Sequence, residues 1–121
     1  MNILIVDDEK SVTASIEMVL KRSGHTVDVL HDGDDALARL EELPARYEVL
    51  ITDHFMRRLS GLQLLQELRE KPFKGRIIVL SGYLTNELEA ECRSAGAHKI
   101  IRKPFDLHEL RTAVGELSSR Q

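Results

Sequence analysis

Four places in this sequence put a polar, reactive side chain at the end of an apolar run. Asp7-Asp8 follow NILIV, Asp53 follows VLIT, Ser81 follows RIIVL, and Lys103-Pro104 come shortly after KII. Singly, each is an ordinary strand or loop residue. Brought to one point, they define a chemistry. Two unit charges ~4 Å apart interact by roughly 4 kcal/mol at an effective dielectric of about 20. Three carboxylates together therefore need a cation, and one lysine cannot neutralise three acids. A hard divalent ion with oxygen ligands can, and Mg2+ characteristically uses one or two carboxylates plus waters and phosphate oxygens. Acids, such an ion, a lysine and a hydroxyl around one point describe a phosphoryl-transfer site, where charge stabilisation dominates catalysis.

Whether these residues meet depends on the elements that carry them. Strand-length apolar runs occupy 2–6, 26–30, 48–52, 76–80 and 99–101. The first, third and fourth are nearly continuous rather than alternating, which suits parallel strands covered on both faces. Between them lie apolar stripes at helical spacing: Val12, Ile16, Val19 and Leu20; Ala36, Leu37 and Leu40; Leu62, Leu65 and Leu68; Leu88, Cys92 and Ala95; Leu107, Leu110, Val114 and Leu117. Gly24 and Gly96 sit where left-handed C-terminal caps belong, Ser60 and Thr85 suit N-caps, and Pro72 is expected to end the third helix.

The result is β-α repeated five times, an α/β fold with a doubly wound, five-stranded parallel sheet. Right-handed crossovers leave the flavodoxin-like strand order 2-1-3-4-5 as the expected topology. Sites in such folds lie at the carboxyl ends of the strands, near the switch point between strands 1 and 3. That rule sends Asp7-Asp8, Asp53, Ser81 and Lys103 to one edge. Strand 2 ends in His31-Asp32 and, as an edge strand, is expected to hold them away from the cluster.

A length of 121 residues suits one domain, here 1–121. The net charge of −3 comes without a Lys/Arg block, which speaks against a nucleic-acid surface. No apolar stretch approaches the ~20 residues of a membrane span, and MNILIVDD lacks the basic start of a signal peptide. A single cysteine suits a reduced, cytoplasmic protein. The sequence runs to SSRQ directly after its last helical stripe, so a DNA-binding output domain is not expected. A stand-alone regulator acting by protein contact is expected, or a piece of a longer chain such as a hybrid kinase.

The set VDD (6–8), D-x-x-M (53–56) with Gly61 eight residues after the Asp, LSG (80–82) and KPF (103–105) resembles the receiver domain of two-component response regulators. The resemblance covers the chain from first strand to last helix. It implies that Asp53 takes a phosphoryl group from a histidine kinase or histidine phosphotransfer protein, forming an acyl phosphate. It implies further that Asp8, Asp53 and the Phe55 carbonyl bind Mg2+ (or Mn2+), with Asp7 acting through water. Lys103 would pair with a phosphoryl oxygen across a bond to Pro104 that is usually cis in the family. Ser81 would donate its hydroxyl to the phosphoryl group and draw the next loop inward. Such a protein modifies itself and is a switch rather than a turnover enzyme. Its downstream partner is not legible, and a phosphorylation-dependent homodimer is compatible with the family.

Four positions depart from the family pattern. Arg57 replaces the proline that usually follows the Met of D-x-x-M, which frees φ and adds a positive charge. Ile100 replaces the Tyr or Phe usual three residues before the lysine, so the aromatic half of the switch is missing. Phe55 and Tyr83, two residues after Asp53 and Ser81, are bulky rings without an acid or amide, from which slow self-dephosphorylation is expected. Other residues carry plainer readings. Asp7-Asp8 also suit the start of the first helix, His54 reads as a loop residue pointing away from Asp53, Cys92 as core, and Arg57 and Arg58 as a solvated loop. The five histidines lack the spacing of a metal site. Two rivals remain: a phosphorylation-independent interaction module, and a metal-dependent phosphatase with an Asp nucleophile. The second requires an acid two residues after Asp53, where Phe55 stands.

Overall fold

Strand and helix alternate throughout the computed structural model, which describes residues 1–118. The order is β1 (Asn2–Val6), α1 (Lys10–Arg22), β2 (Thr26–Leu30), α2 (Gly33–Glu42), β3 (Val49–Asp53), α3 (Gly61–Leu68), β4 (Arg76–Ser81), α4 (Asn86–Ser94), β5 (Lys99–Arg102) and α5 (Leu107–Ser118). Of the SSRQ tail, the residues after Ser118 lie outside those described. The strands form one parallel sheet in the order β2-β1-β3-β4-β5, the expected flavodoxin-like topology. Two of the site residues belong to the strands themselves, since β3 extends through Asp53 and β4 through Ser81.

The continuous apolar runs reflect burial on both faces. On one face Ile3, Ile5, Val49, Ile51, Ile78, Leu80 and Ile101 pack with Ile16 and Leu20 of α1 and Leu110, Val114 and Leu117 of α5. On the other, Leu4, Val6, Leu50, Ile77 and Val79 pack with Leu40 of α2, Leu64, Leu65 and Leu68 of α3, and Cys92 of α4. Each fully buried aliphatic side chain contributes roughly 1.5–3 kcal/mol relative to exposure. Because side chains alternate along a strand, this division also fixes which way each strand-end residue faces.

The helix boundaries follow local chemistry. Gly24 and Gly96 adopt φ of +93° and +116°, as left-handed caps require. Ser60 closes a capping box with Gln63, and Thr85 accepts from the Leu88 amide. Pro72 does not itself end α3. The helix stops at Leu68, and the Lys71 N–H closes a turn onto the Leu68 carbonyl at 3.1 Å before the proline is reached. Asp7-Asp8 likewise precede α1: Glu9 is its N-cap residue, and Asp7 Oδ1 accepts the Glu9 amide at 3.0 Å. Among the described residues no helix is long and apolar enough to cross a membrane.

One glycine sets the approach of α3 to the site. A Cβ on Gly61 would lie 2.5 Å from the Asp53 carbonyl oxygen, and the Gly61 N–H donates to His54 O at 2.8 Å. A side chain there would push α3 away from the end of β3. A Cβ on Gly115, within α5, would meet nothing within 4 Å. Gly61→Ala is therefore expected to lower stability by about 1–3 kcal/mol, whereas Gly115→Ala raises it by about 0.5–1 kcal/mol. Urea denaturation of both variants checks the pair of signs.

Candidate functional site

Strand register brings the acids together. Val6 pairs with Thr52 in the β1–β3 ladder, so one further step sets Asp7 beside Asp53. By alternation Asp7 and Asp53 share the α1/α5 side of the sheet with Ile5 and Ile51, and Lys103 falls on that side after Ile101. Ser81 follows Val79 onto the opposite side, that of α3 and α4. One carboxylate oxygen each from Asp7, Asp8 and Asp53 lie within 4.8 Å of one another. Asp7 is fully buried and Asp53 4% exposed, while Asp8 is exposed to solvent.

Lys103 is the cation in this cluster. Its Nζ lies 3.1 Å from Asp53 Oδ1, 3.2 Å from Asp7 Oδ2 and 3.7 Å from Glu9 Oε1. The Lys103-Pro104 bond is cis. With Asp8, which lies beside Asp7 and Asp53, the cluster holds four carboxylates and one ammonium. Burial pushes the Asp53 carboxyl up, the Asp7 charge adds to this, and Lys103 only partly offsets them, leaving it at about 6 against an ordinary 3.8. Burial pulls the Lys103 ammonium down, but its hydrogen bonds and charge contacts with Asp53 and Asp7 outweigh that and raise it. Clustered, partly buried carboxylates are a hard-oxygen donor set, and their excess negative charge suits a divalent cation.

Ser81 is fully buried and turned toward its own loop. Its Oγ donates to the Tyr83 carbonyl at 2.7 Å and accepts the Tyr83 amide at 3.3 Å. Phe55 and Tyr83 have exposed rings, 58% and 68%. Ile100 is half-buried against the core beneath α3 and α4. His54 accepts the Leu62 amide at 3.4 Å on Nδ1 and meets Phe55 edge-on, consistent with a side chain engaged away from Asp53. Cys92 is fully buried, in line with its place in the helical stripe.

Two sequence readings need correction. His31 and Asp32 are not remote from the cluster: they line a cavity of about 590 Å3 together with Asp8, Arg57 and Arg58. His31 Nδ1 lies 2.9 Å from the Asp7 carbonyl oxygen. The strand order contained this result, because β2 borders β1; an edge position keeps His31 from β4 and β5, not from Asp7. Nor is Arg58 merely solvated. It pairs with Asp32 and, at 3.5 Å, with Asp34. Glu9 was missed as a Lys103 neighbour, although it directly follows Asp7-Asp8 in sequence.

The titration of Asp53 has a measurable consequence. Its carboxyl holds a proton up to about 6 in the fold but only to about 3.8 unfolded. Between those values the native state binds more protons, so without metal the native state loses stability as pH rises from about 4 to about 6 and holds level above. Asp53→Asn removes this penalty. In chelator the variant is expected to exceed the parent by about 2–3 kcal/mol at pH 7.5, with the gap closing toward pH 4. Urea titrations at both pH values measure it.

Comparison with known proteins places this geometry. The family model described as the response regulator receiver domain matches residues 3–115. The transcriptional regulatory protein DltR of Streptococcus agalactiae is 33% identical over 121 residues, all of this chain and 53% of that protein. The sensor kinase CckA of Brucella abortus is 30% identical over 119 residues, 98% of this chain and 13% of that protein. The chain thus spans about half the length of DltR and a small part of CckA. Among solved structures, the receiver domain of Francisella response regulator 1452 superposes with a TM-score of 0.90 at 29% identity, covering 98% of this chain and 97% of that one.

Proposed function

The chain belongs to the response regulator receiver domain family, a signalling module of two-component systems, and we propose that it switches by accepting a phosphoryl group on Asp53. The observation that carries this reading is the bridging of Asp7 and Asp53 by Lys103, with Asp8 completing an acidic group within 4.8 Å. Asp8, Asp53 and the Phe55 carbonyl would hold Mg2+ or Mn2+, with Asp7 acting through water, and the ion would neutralise charge on the transferring group. The donor would be the phosphoimidazole of a histidine kinase or phosphotransfer protein. An Asp53 oxygen attacks phosphorus, the P–N bond breaks, and its electron pair stays with the departing imidazole. Lys103, already held at 3.1 Å from Asp53 Oδ1, stabilises the negative phosphoryl oxygens. The Ser81 hydroxyl exchanges the Tyr83 carbonyl for a phosphoryl oxygen, drawing the β4–α4 loop inward.

In this reading residues 1–121 form one cytoplasmic receiver domain that modifies itself and acts through a protein partner, with homodimerisation on phosphorylation as one form of output. Transfer can shift the population of states only through contacts that differ between them, and the Ser81–Tyr83 hydrogen bond is one such contact. Ile100 offers neither ring nor hydroxyl for the inward movement an aromatic residue would make. Coupling through β5 is therefore expected to be weaker, and the loop carrying Tyr83 takes the larger part.

Incubation with acetyl phosphate and Mg2+ tests the proposal by intact mass. A single added phosphoryl group, absent in Asp53→Asn, is expected. Sustained release of phosphate over many turnovers would indicate a hydrolase, and no uptake would indicate a phosphorylation-independent module. A second expectation concerns lifetime. The Phe55 and Tyr83 rings present no acid or amide to position a water, so the purified phosphoprotein should keep its label for minutes or longer in Mg2+. Loss within seconds, followed by radiolabel or mass, would contradict this.

A further inference from the structure

The β3–α3 loop carries a fastening that phosphoryl transfer itself does not use. Arg58 is the only non-glycine with positive φ among the described residues, at 63°. Across it the Leu59 N–H donates to the Arg57 carbonyl at 2.7 Å, so Arg58 is the apex of a three-residue turn of the strained hand. Such a conformation persists only where the surroundings impose it, and the surroundings here are the start of α2. The Arg58 guanidinium pairs with Asp32 through Nη2 and approaches Asp34 at 3.5 Å through Nε. Asp32 is itself fixed, because its Oδ1 caps α2 by accepting the Asp34 amide at 2.7 Å and the Asp35 amide at 3.3 Å. Beneath this pair the loop lies against α2 with no spare room: a Cβ on Gly33 would sit 2.6 Å from the Leu59 carbonyl oxygen.

An exposed ion pair alone is weak. Here one guanidinium spans two carboxylates, one held by a helix cap, and it holds a turn that would otherwise relax. The adjacent Arg57 lacks the φ restriction a proline would supply, so the loop needs a constraint from elsewhere. We propose that Arg58, through Asp32 and Asp34, is a positioning residue for the divalent-cation site, latching the Phe55–Leu59 segment onto the N-terminus of α2. The inference rests on the reading of Asp8, Asp53 and Phe55 as the cation site. The latch forms part of the wall of the cavity that contains Asp8. Loss of the latch would loosen the loop that carries Phe55, and cation binding would then have to reorder it.

Two variants separate this from plain electrostatics without threatening the fold. Asp32→Asn keeps a good helix cap, and Arg58→Gly relieves the positive φ. Direct charge effects on Mg2+ act in opposite directions, since losing an acid weakens binding and losing a cation tightens it. The latch requires the same direction. Both variants should bind Mg2+ about three- to tenfold more weakly by calorimetry in 0.15 M salt, the size of effect seen when contacts supporting a metal ligand are lost. The double variant should be no worse than either single one. Opposite shifts, unchanged affinities or additive losses would overturn the proposal. Amide hydrogen exchange in chelator reads the latch without metal: residues 55–59 should exchange severalfold faster in both variants, and unchanged rates would overturn it. Absence of Mg2+ binding by the parent protein would count against the phosphoacceptor reading instead, and the exchange rates alone would then decide the latch.

Discussion

The arrangement at the carboxyl edge depends on one unequal balance of charge. Three carboxylates lie within 3.7 Å of the Lys103 ammonium, with Asp8 beside them, and two of the four, Asp7 and Asp53, are withdrawn from water. In a partly buried setting such repulsion is costly, and the one ammonium among the acids offsets only part of it. It persists because the sheet register is fixed elsewhere. Rows of aliphatic contacts on two faces set β1 against β3, and sliding the register by one residue would exchange the faces and mismatch both packed layers. The core therefore holds the acids together against their own repulsion, and Lys103 tempers the repulsion without removing it.

This division of labour explains what could be read from sequence. Continuous apolar runs and helical stripes report burial, and burial decides topology, so strand order and the edge carrying Asp7, Asp8, Asp53, Ser81 and Lys103 were legible. The caps at Gly24, Ser60, Thr85 and Gly96 were legible for the same reason, since each satisfies a local backbone requirement. Contacts made by long side chains over polar surface were not. Arg58 reaching Asp32 and Asp34, and Glu9 reaching Lys103, leave no periodic trace. His31 was misjudged differently, by treating an edge strand as distant when it is the neighbour of β1. Pro72 was over-read, because a proline bars helix beyond itself without fixing where the helix stops.

The residues that depart from the family pattern lie in the two loops around the acids and on β5. Arg57 gives up a built-in backbone constraint, and the neighbouring Arg58 sits at a strained turn tied to α2. Ile100 gives up a ring, and the Ser81 hydroxyl engages both backbone groups of Tyr83. In each case a constraint intrinsic to one residue is absent and a side-chain contact of the adjoining loop stands nearby. The exposed Arg58 ion pairs respond to salt more readily than a φ restriction built into a proline does.

Alternation along the strands has one further consequence. Asp7, Asp53 and Lys103 face the α1/α5 layer, whereas Ser81 faces the layer of α3 and α4. The sheet between them is a single backbone thick and buried under helices on both faces. On the proposed phosphorylation of Asp53, charge added on one side would be registered on the other by redirecting one hydroxyl at the rim, without bending a strand. The sheet behaves as a partition at this edge: the charged groups lie toward one helical layer and the Ser81 hydroxyl toward the other.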